Sequence, residues 1–217
     1  MTRREPGEDD RLVLASGSPR RRELLRAAGI DFDVVVSGVP EAAPIKGETY
    51  GQYAARVAVD KARAVAAEMP ARWVLGADTI VVLDDVILGK PADQPEAVRM
   101  LQRLSGRTHC VVTGIALVRH SPGSGTALIQ QAVETRVKFR DLSAAEIEQY
   151  AAGGEPMDKA GAYGIQGLGA VFVAEYDGSY TNVVGLPMEA LQALLAEHAP
   201  RLLPMRGVSA ATGEPTR

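Results

Sequence analysis

Residues 14–24 read LASGSPRRREL, and this run decides the fold class. A short apolar strand (Leu12 to Ala15) passes through Ser16-Gly17 into a helix start, with Ser18 as N-cap and Pro19 at the first helical position. A strand feeding straight into a helix is the building step of an α/β protein. The same stretch is locally inconsistent. The first helical turn is the positive end of the helix dipole, yet it holds Arg20, Arg21 and Arg22. Each cation there costs about 0.3–1 kcal/mol. The helix read at 144–152 serves as a control, because Ser143 and Glu146 form a capping box with the acidic residue where a first turn prefers it. The chain obeys the rule there and breaks it at residue 20, which points to an anionic ligand.

Outward from this run, strands and helices alternate. Helix 19–28, closed by Gly29, precedes a strand at 32–36 and a loop carrying Pro40, Glu41 and Pro44. A long helix spans about Thr49 to Glu68, followed by strand 73–76 and a hairpin, 79–83 and 86–89, turning at Asp84-Asp85. A helix at 94–104 carries apolar residues at 97, 100, 101 and 104, and strands 108–118 and 126–139 flank SPGSG. After the 144–152 helix, a glycine-rich loop at 161–169 leads to a hairpin turning at Asp177-Gly178, and a last helix starts at Pro187. Adjacent hairpins among helices predict an α/β fold with a mixed sheet, not a purely parallel one. Residues 1–10 and 201–217 are expected to be disordered, leaving one domain over 11–200.

The bulk composition narrows the function classes. A chain of 217 residues with 46% hydrophobic content can bury one sizeable core, as one large domain or two lobes sharing a cleft. The net charge of -3 and a pI of about 5.7 argue against a general nucleic-acid binder, so the arginines are a local feature. The single cysteine, Cys110, lies in an apolar run and excludes a disulfide framework or cysteine metal site within the chain. The N-terminus lacks the apolar stretch of a signal peptide, and no segment is apolar enough to span a membrane. The expectation is a soluble, cytoplasmic protein with no membrane or nucleic-acid partner.

Three constellations carry chemistry. Ser16-Gly17-Ser18-Pro19-Arg20-Arg21 offers free backbone N–H groups at a helix N-terminus, which suits phosphate. Leu24, Leu25 and Ala28 form the buried stripe of that helix; Arg21 extends it, Arg20 lies above Leu24, and Arg22 lines up with Arg26 toward solvent. Arg20 and Arg21 are thus the pair aimed at a ligand, against the alternative of a solvated basic patch or ion pairs elsewhere. A two-residue turn at Asp84-Asp85 sets Thr79 opposite Lys90 and Asp78 opposite Pro91, so that Asp78 and Lys90 meet at the open end. A carboxylate beside an ammonium is either a hydrolytic site holding a metal or water next to phosphate, or a structural ion pair. Lys61 falls on the apolar stripe of the long helix with Tyr53, Val57 and Val65, where it must either reach solvent or meet an anion. The loop EPMDKAGAYGIQGLGA has the wrong spacing for a dinucleotide fingerprint, and Gly89-Lys90-Pro91 is not a P-loop. Gln166, between glycines, is either a surface residue or an amide presented to the O4/N3–H face of uracil or thymine; rotated, it also serves cytosine.

SGSPRR at 16–21, GADT at 76–79 followed by GKP at 89–91, and EPMDKAGAYGIQG at 155–167 resemble the Maf family of nucleoside triphosphate pyrophosphatases, in the family's order from about residue 12 to 196. The resemblance implies a sheet split into two lobes around a central nucleotide-binding cleft, often as a homodimer. It implies hydrolysis of nucleoside triphosphates to monophosphate and pyrophosphate with a divalent cation, Mg²⁺ or Mn²⁺. Asp78 would be the proton acceptor that activates water, and Ser16, Arg20, Arg21, Lys61 and Lys90 would hold the triphosphate. Glu41 matches an acidic position near metal and phosphates, so Glu41 and Asp78 are the implied metal residues. Thr79, Arg20 and Gln166 match the specificity positions of the dTTP/UTP type. The charged N-terminal extension, the C-terminal tail and Pro40 beside Glu41 depart from the family pattern. Two rival readings are a nucleotidyltransferase and a non-catalytic nucleotide-binding regulator of septum formation. On the phosphate reading, the first turn of helix 19–28 without ligand is a strained, electropositive pocket.

Overall fold

The structure, a computed structural model, describes residues 11–123 and 125–204. Most of the expected disordered segments, residues 1–10 and 205–217, lies outside the described residues. In chain order the elements are β1 (Leu12–Leu14), α1 (Pro19–Ala27), β2 (Phe32–Val34), α2 (Tyr50–Ala66), β3 (Trp73–Leu83) and β4 (Val86–Leu88). There follow α3 (Gln94–Leu104), β5 (Thr108–Ser121), β6 (Gly125–Phe139), α4 (Ala144–Ala152), β7 (Val173–Asp177), α5 (Tyr180–Val184) and α6 (Met188–His198). The strands form one mixed sheet in the order β2-β1-β3-β5-β6-β7, with β4 also paired to β3. β1 runs parallel to β2 and β3, and the remaining pairings are antiparallel.

The sheet is interrupted at one place, and that place matters. β5 pairs with β3 all the way from Trp73 to Val82. On the other edge of β3, β1 pairs only at Val74 and Leu75, and β4 only from Val81 to Leu83. Among the described residues, 76–80 between them have no strand neighbour on that edge. The cores divide accordingly: Leu12, Leu14, Leu25, Leu75 and Leu191 pack together on one side, and Val81, Leu83, Leu101, Phe139 and Tyr150 on the other. Two lobes share one sheet, with a cleft where β1 and β4 diverge.

Helix α2 lies across β3 and β5 on one face, and two glycines permit it. A Cβ on Gly76 would sit 2.0 Å from the Ala58 carbonyl oxygen, and one on Gly114 would sit 2.2 Å from the Ala54 carbonyl carbon. Glycine in a strand interior here marks close backbone approach. Because Gly114 is the register partner of Asp78, this approach also brings α2 over Asp78.

Several sequence expectations are corrected. β3 is one unbroken strand where two pieces were expected, because ten cross-strand pairs with β5 override the weak β-propensity of Gly76-Ala77-Asp78. Asp84 and Asp85 do form the tight turn, with φ of 48° and 60°, and Leu83 faces Val86. The ladder stops at Val81 and Leu88, so Thr79 and Lys90 are not cross-strand partners. Asp177-Gly178 turns no hairpin: Ser179 N-caps α5 instead, accepting from the Asn182 N–H at 3.2 Å. Gly178 is needed for space, since a Cβ there would lie 2.8 Å from the Thr135 hydroxyl. Of residues 201–204, placed by sequence in the tail, Leu202 is buried and Leu203 partly buried against the α6 lobe, while Arg201 and Pro204 are exposed.

Candidate active site

The cleft between the lobes encloses about 570 Å³, within the range of small-molecule sites. Asp78 lies at its floor, 4% exposed, on the stretch of β3 that is paired on its β5 edge alone among the described residues. Its partner is Lys61, not Lys90. Lys61 Nζ donates to Asp78 Oδ1 at 2.7 Å and to Glu41 Oε1 at 2.8 Å. The lysine on the apolar stripe thus meets two carboxylates, which resolves the choice between solvent and an anion. Burial works to raise the Glu41 carboxyl, but the Lys61 hydrogen bond and charge, with Lys90 and Arg21 behind them, hold it below the ordinary carboxylate range. Lys90 lines the cleft with no ion pair among the described residues, and the expected Asp78–Lys90 contact is absent there.

The opposite wall is the turn after β1 and the start of α1. Ser18 caps no N–H group of α1 with its side chain among the described residues, and no acidic residue occupies the first turn. Arg21 is buried: Nε donates to the Gly185 carbonyl (2.8 Å), Nη1 to Ser16 Oγ (2.9 Å) and Nη2 to Thr79 Oγ1 (3.2 Å). Burial lowers its pKa, Asp78 counteracts this, and Arg20 adds to the lowering. Arg20 Nη1 pairs with Asp158 Oδ2 at 2.8 Å. The expectation without a ligand is a strained, electropositive pocket; the structure keeps the cations on the cleft but partners two of the first-turn arginines within the fold. One arginine is tied into the fold and the next is held by an acid across the cleft. Arg22 is half-buried, not turned fully to solvent.

Gln166 lines the same cleft from the glycine-rich loop. That loop is pinned by Glu155, whose carboxylate accepts from Tyr150 Oη (3.0 Å), the Leu168 N–H (3.0 Å) and the Gly169 N–H (3.3 Å). Beneath it, His109 Nε2 lies 2.7 Å from Tyr163 Oη, and its ring packs edge-on against Phe139 and Tyr163. The sequence gives no signal for this support, since only the tertiary fold brings residue 109 under the loop. Burial pushes the His109 pKa down to about 4, against about 6.5 in an unfolded chain. The unfolded state therefore binds the extra proton first as pH falls. Stability is complete above about pH 6.5 and declines as pH drops toward 4, by about 3 kcal/mol in all. Thermal melts from pH 7.5 to 4.5 should show this slope, and His109→Gln should flatten it; parallel slopes would refute the assignment.

Thr113, Thr135 and Asn182, all buried, were also missed. Asn182 Nδ2 donates to the Val111 carbonyl (3.0 Å) and to Thr135 Oγ1 (2.9 Å), and Thr113 Oγ1 donates to the Asn182 carbonyl (3.1 Å). Reading Asp177-Gly178 as a hairpin turn concealed α5 and, with it, Asn182.

Whether the site fits a divalent cation is decided by its donors. Among the described residues no three His, Cys, Asp or Glu side chains converge, but Glu41 and Asp78 share one cation, Lys61. Mg²⁺ is commonly bound through one or two carboxylates together with substrate phosphates and water, so two carboxylates in a cleft beside a helix N-terminus fit such an ion.

A family model described as Maf-like protein matches residues 11–198. The chain is similar to the dTTP/UTP pyrophosphatase of Geobacter metallireducens, 54% identical over 181 residues, covering 83% of this chain and 92% of the relative. The dTTP/UTP pyrophosphatase of Geobacter sulfurreducens is also 54% identical, over 182 residues, covering 83% of this chain and 93% of its own. The chain is also similar to the solved structure of the Staphylococcus aureus Ham1 protein, which covers 86% of this chain and 98% of its own at 14% identity and a TM-score of 0.46.

Proposed function

The chain belongs to the Maf family, and from that premise we propose that it hydrolyses dTTP and UTP to the monophosphate and pyrophosphate. The observation that carries the reading is the Lys61 bridge between buried Asp78 and Glu41, set in one cleft with the uncapped start of α1. Similarity over most of the chain to relatives named dTTP/UTP pyrophosphatase favours hydrolysis over the non-catalytic regulator of septum formation.

In this reading the Asp78 carboxylate takes a proton from the water that attacks the α-phosphorus, and the bond to the α–β bridging oxygen breaks to release pyrophosphate. The α1 N–H groups, Ser16, Arg20, Lys61 and Lys90 take up the triphosphate charge, with Arg21 as the buried support of Ser16 and Thr79. Thr79 and Gln166 meet the base, and Arg20 leaves Asp158 for the ligand. Glu41 and Asp78 would hold Mg²⁺ or Mn²⁺, which when bound supplies Lewis-acid stabilisation of phosphate charge. The reading places the enzyme in the cytoplasm, in keeping with the absence, among the described residues, of a helix long and apolar enough to cross a membrane.

The test is product analysis with purified protein, Mg²⁺ or Mn²⁺, and dTTP, UTP, CTP, GTP and a modified-base triphosphate. Pyrophosphate and monophosphate from dTTP and UTP are the expected result. Preferential turnover of CTP or the modified nucleotide would overturn the roles of Thr79 and Gln166, and binding without hydrolysis would overturn the reaction.

A further inference from the structure

Thr79 and Thr113 face each other as direct partners on β3 and β5, with their hydroxyl oxygens 2.9 Å apart. Thr113 is completely buried, while Thr79 is part-exposed on the cleft. Arg21 Nη2 donates to Thr79 Oγ1 at 3.2 Å, and a guanidinium can only donate, so this oxygen is an acceptor toward Arg21. Two proton arrangements remain for the threonine pair. In the first, Thr79 donates to Thr113, and Thr113 donates to the Asn182 carbonyl at 3.1 Å. In the second, Thr113 donates to Thr79, and the Thr79 proton is left with the Gly185 carbonyl at 3.4 Å, which already accepts from Arg21 Nε at 2.8 Å. The first gives every proton a better acceptor. It is also held in place, because the Asn182 side chain is anchored to Val111 and Thr135.

We propose that Thr113 is a positioning residue for base selection: it takes the Thr79 proton, so that Thr79 offers the nucleotide base a lone pair and not a donor. The inference rests on Thr79 as a base contact in the reading above. A lone pair matches the N3–H of thymine or uracil and repels the unprotonated N3 of cytosine. Gln166 cannot make this distinction by itself, because its amide can rotate to serve either base. The buried chain Arg21–Thr79–Thr113–Asn182 has a direction, and a direction is what a rotatable amide lacks.

The experiment compares kcat/KM for dTTP and dCTP in wild type, Thr113→Val, Thr113→Ser and Thr79→Val, with thermal melts alongside. Valine keeps the shape and removes the acceptor, which leaves the Thr79 proton only the distant Gly185 carbonyl already taken by Arg21, so a base in the cleft competes for it. The dTTP:dCTP ratio is expected to fall about tenfold, the worth of one hydrogen bond, with dCTP turnover rising. Serine restores the hydroxyl and should restore the ratio. If Thr79→Val shifts the ratio and Thr113→Val does not, the role of Thr113 is refuted while Thr79 stands. If Thr79→Val leaves the ratio unchanged, the base contact itself is refuted, and this inference with it. Equal loss on both substrates in the valine and serine variants would reduce Thr113 to packing. Thr113→Ala deletes the same hydroxyl and repeats the test should valine not be accommodated.

Discussion

Asp78→Asn is expected to lower kcat for dTTP by about 10²–10⁴-fold, the usual contribution of a positioned general base. The substitution conserves volume in a site where the side chain is almost wholly enclosed, so the loss is chemical and not a packing defect. An amide neither accepts the water proton nor balances the Lys61 ammonium, which would then rely on Glu41, a partner about half exposed. Removing a negative charge beside a bound triphosphate relieves repulsion, and the lost carboxylate for the cation raises the Mg²⁺ requirement, so nucleotide binding is kept at saturating Mg²⁺. KM should therefore stay level or fall while kcat collapses, the pattern of an interaction made only in the transition state. Pyrophosphate release with dTTP over a range of Mg²⁺ concentrations provides the measurement. A variant retaining kcat within about tenfold of wild type would remove Asp78 from the proton-transfer role.

What could be read from the sequence, and what could not, separates along the range of the interactions. Ser143 with Glu146, the Asp84-Asp85 turn and the register it sets are local chemistry, and they stand as read. Lys61 was legible as an anomaly, because a lysine on an apolar stripe needs a partner. Its partners were not, since Glu41 lies on a separate loop and the close approach of α2 at Gly76 and Gly114 is what brings Lys61 to Asp78. Asp78 was set against Lys90 by extending a ladder past the point where β4 leaves β3. A turn signal fixes where a hairpin starts; tertiary packing decides where it ends. Asp177-Gly178 failed for a related reason: its glycine answers to Thr135 on a neighbouring strand and not to a turn type.

The three arginines in the first turn of α1 lead to the second large effect. Arg21→Met should destabilise the protein by about 3–5 kcal/mol, whereas Arg20→Ala should cost about 0–1 kcal/mol. Arg21 spends its donors on the Gly185 carbonyl, Ser16 and Thr79 in a buried setting, and each hydrogen bond from a charged donor is worth about 1.5–3 kcal/mol. Methionine fills much of the space and leaves the carbonyl unpaired. For a chain of this size the melting temperature should drop by about 6–20 °C. Catalysis should fall as well, because Ser16 and Thr79 lose the group that orients them. Arg20 is different: its only ion pair among the described residues is with Asp158, whose side chain is 57% exposed, so the melting temperature should hardly move. Its loss should appear in KM for the nucleotide. The dipole penalty of the first turn is thus offset twice, by the fold at Arg21 and by an exchangeable acid at Arg20. Melting curves and steady-state kinetics on the two variants separate these roles, and two variants that melt alike would show that the arginines share one.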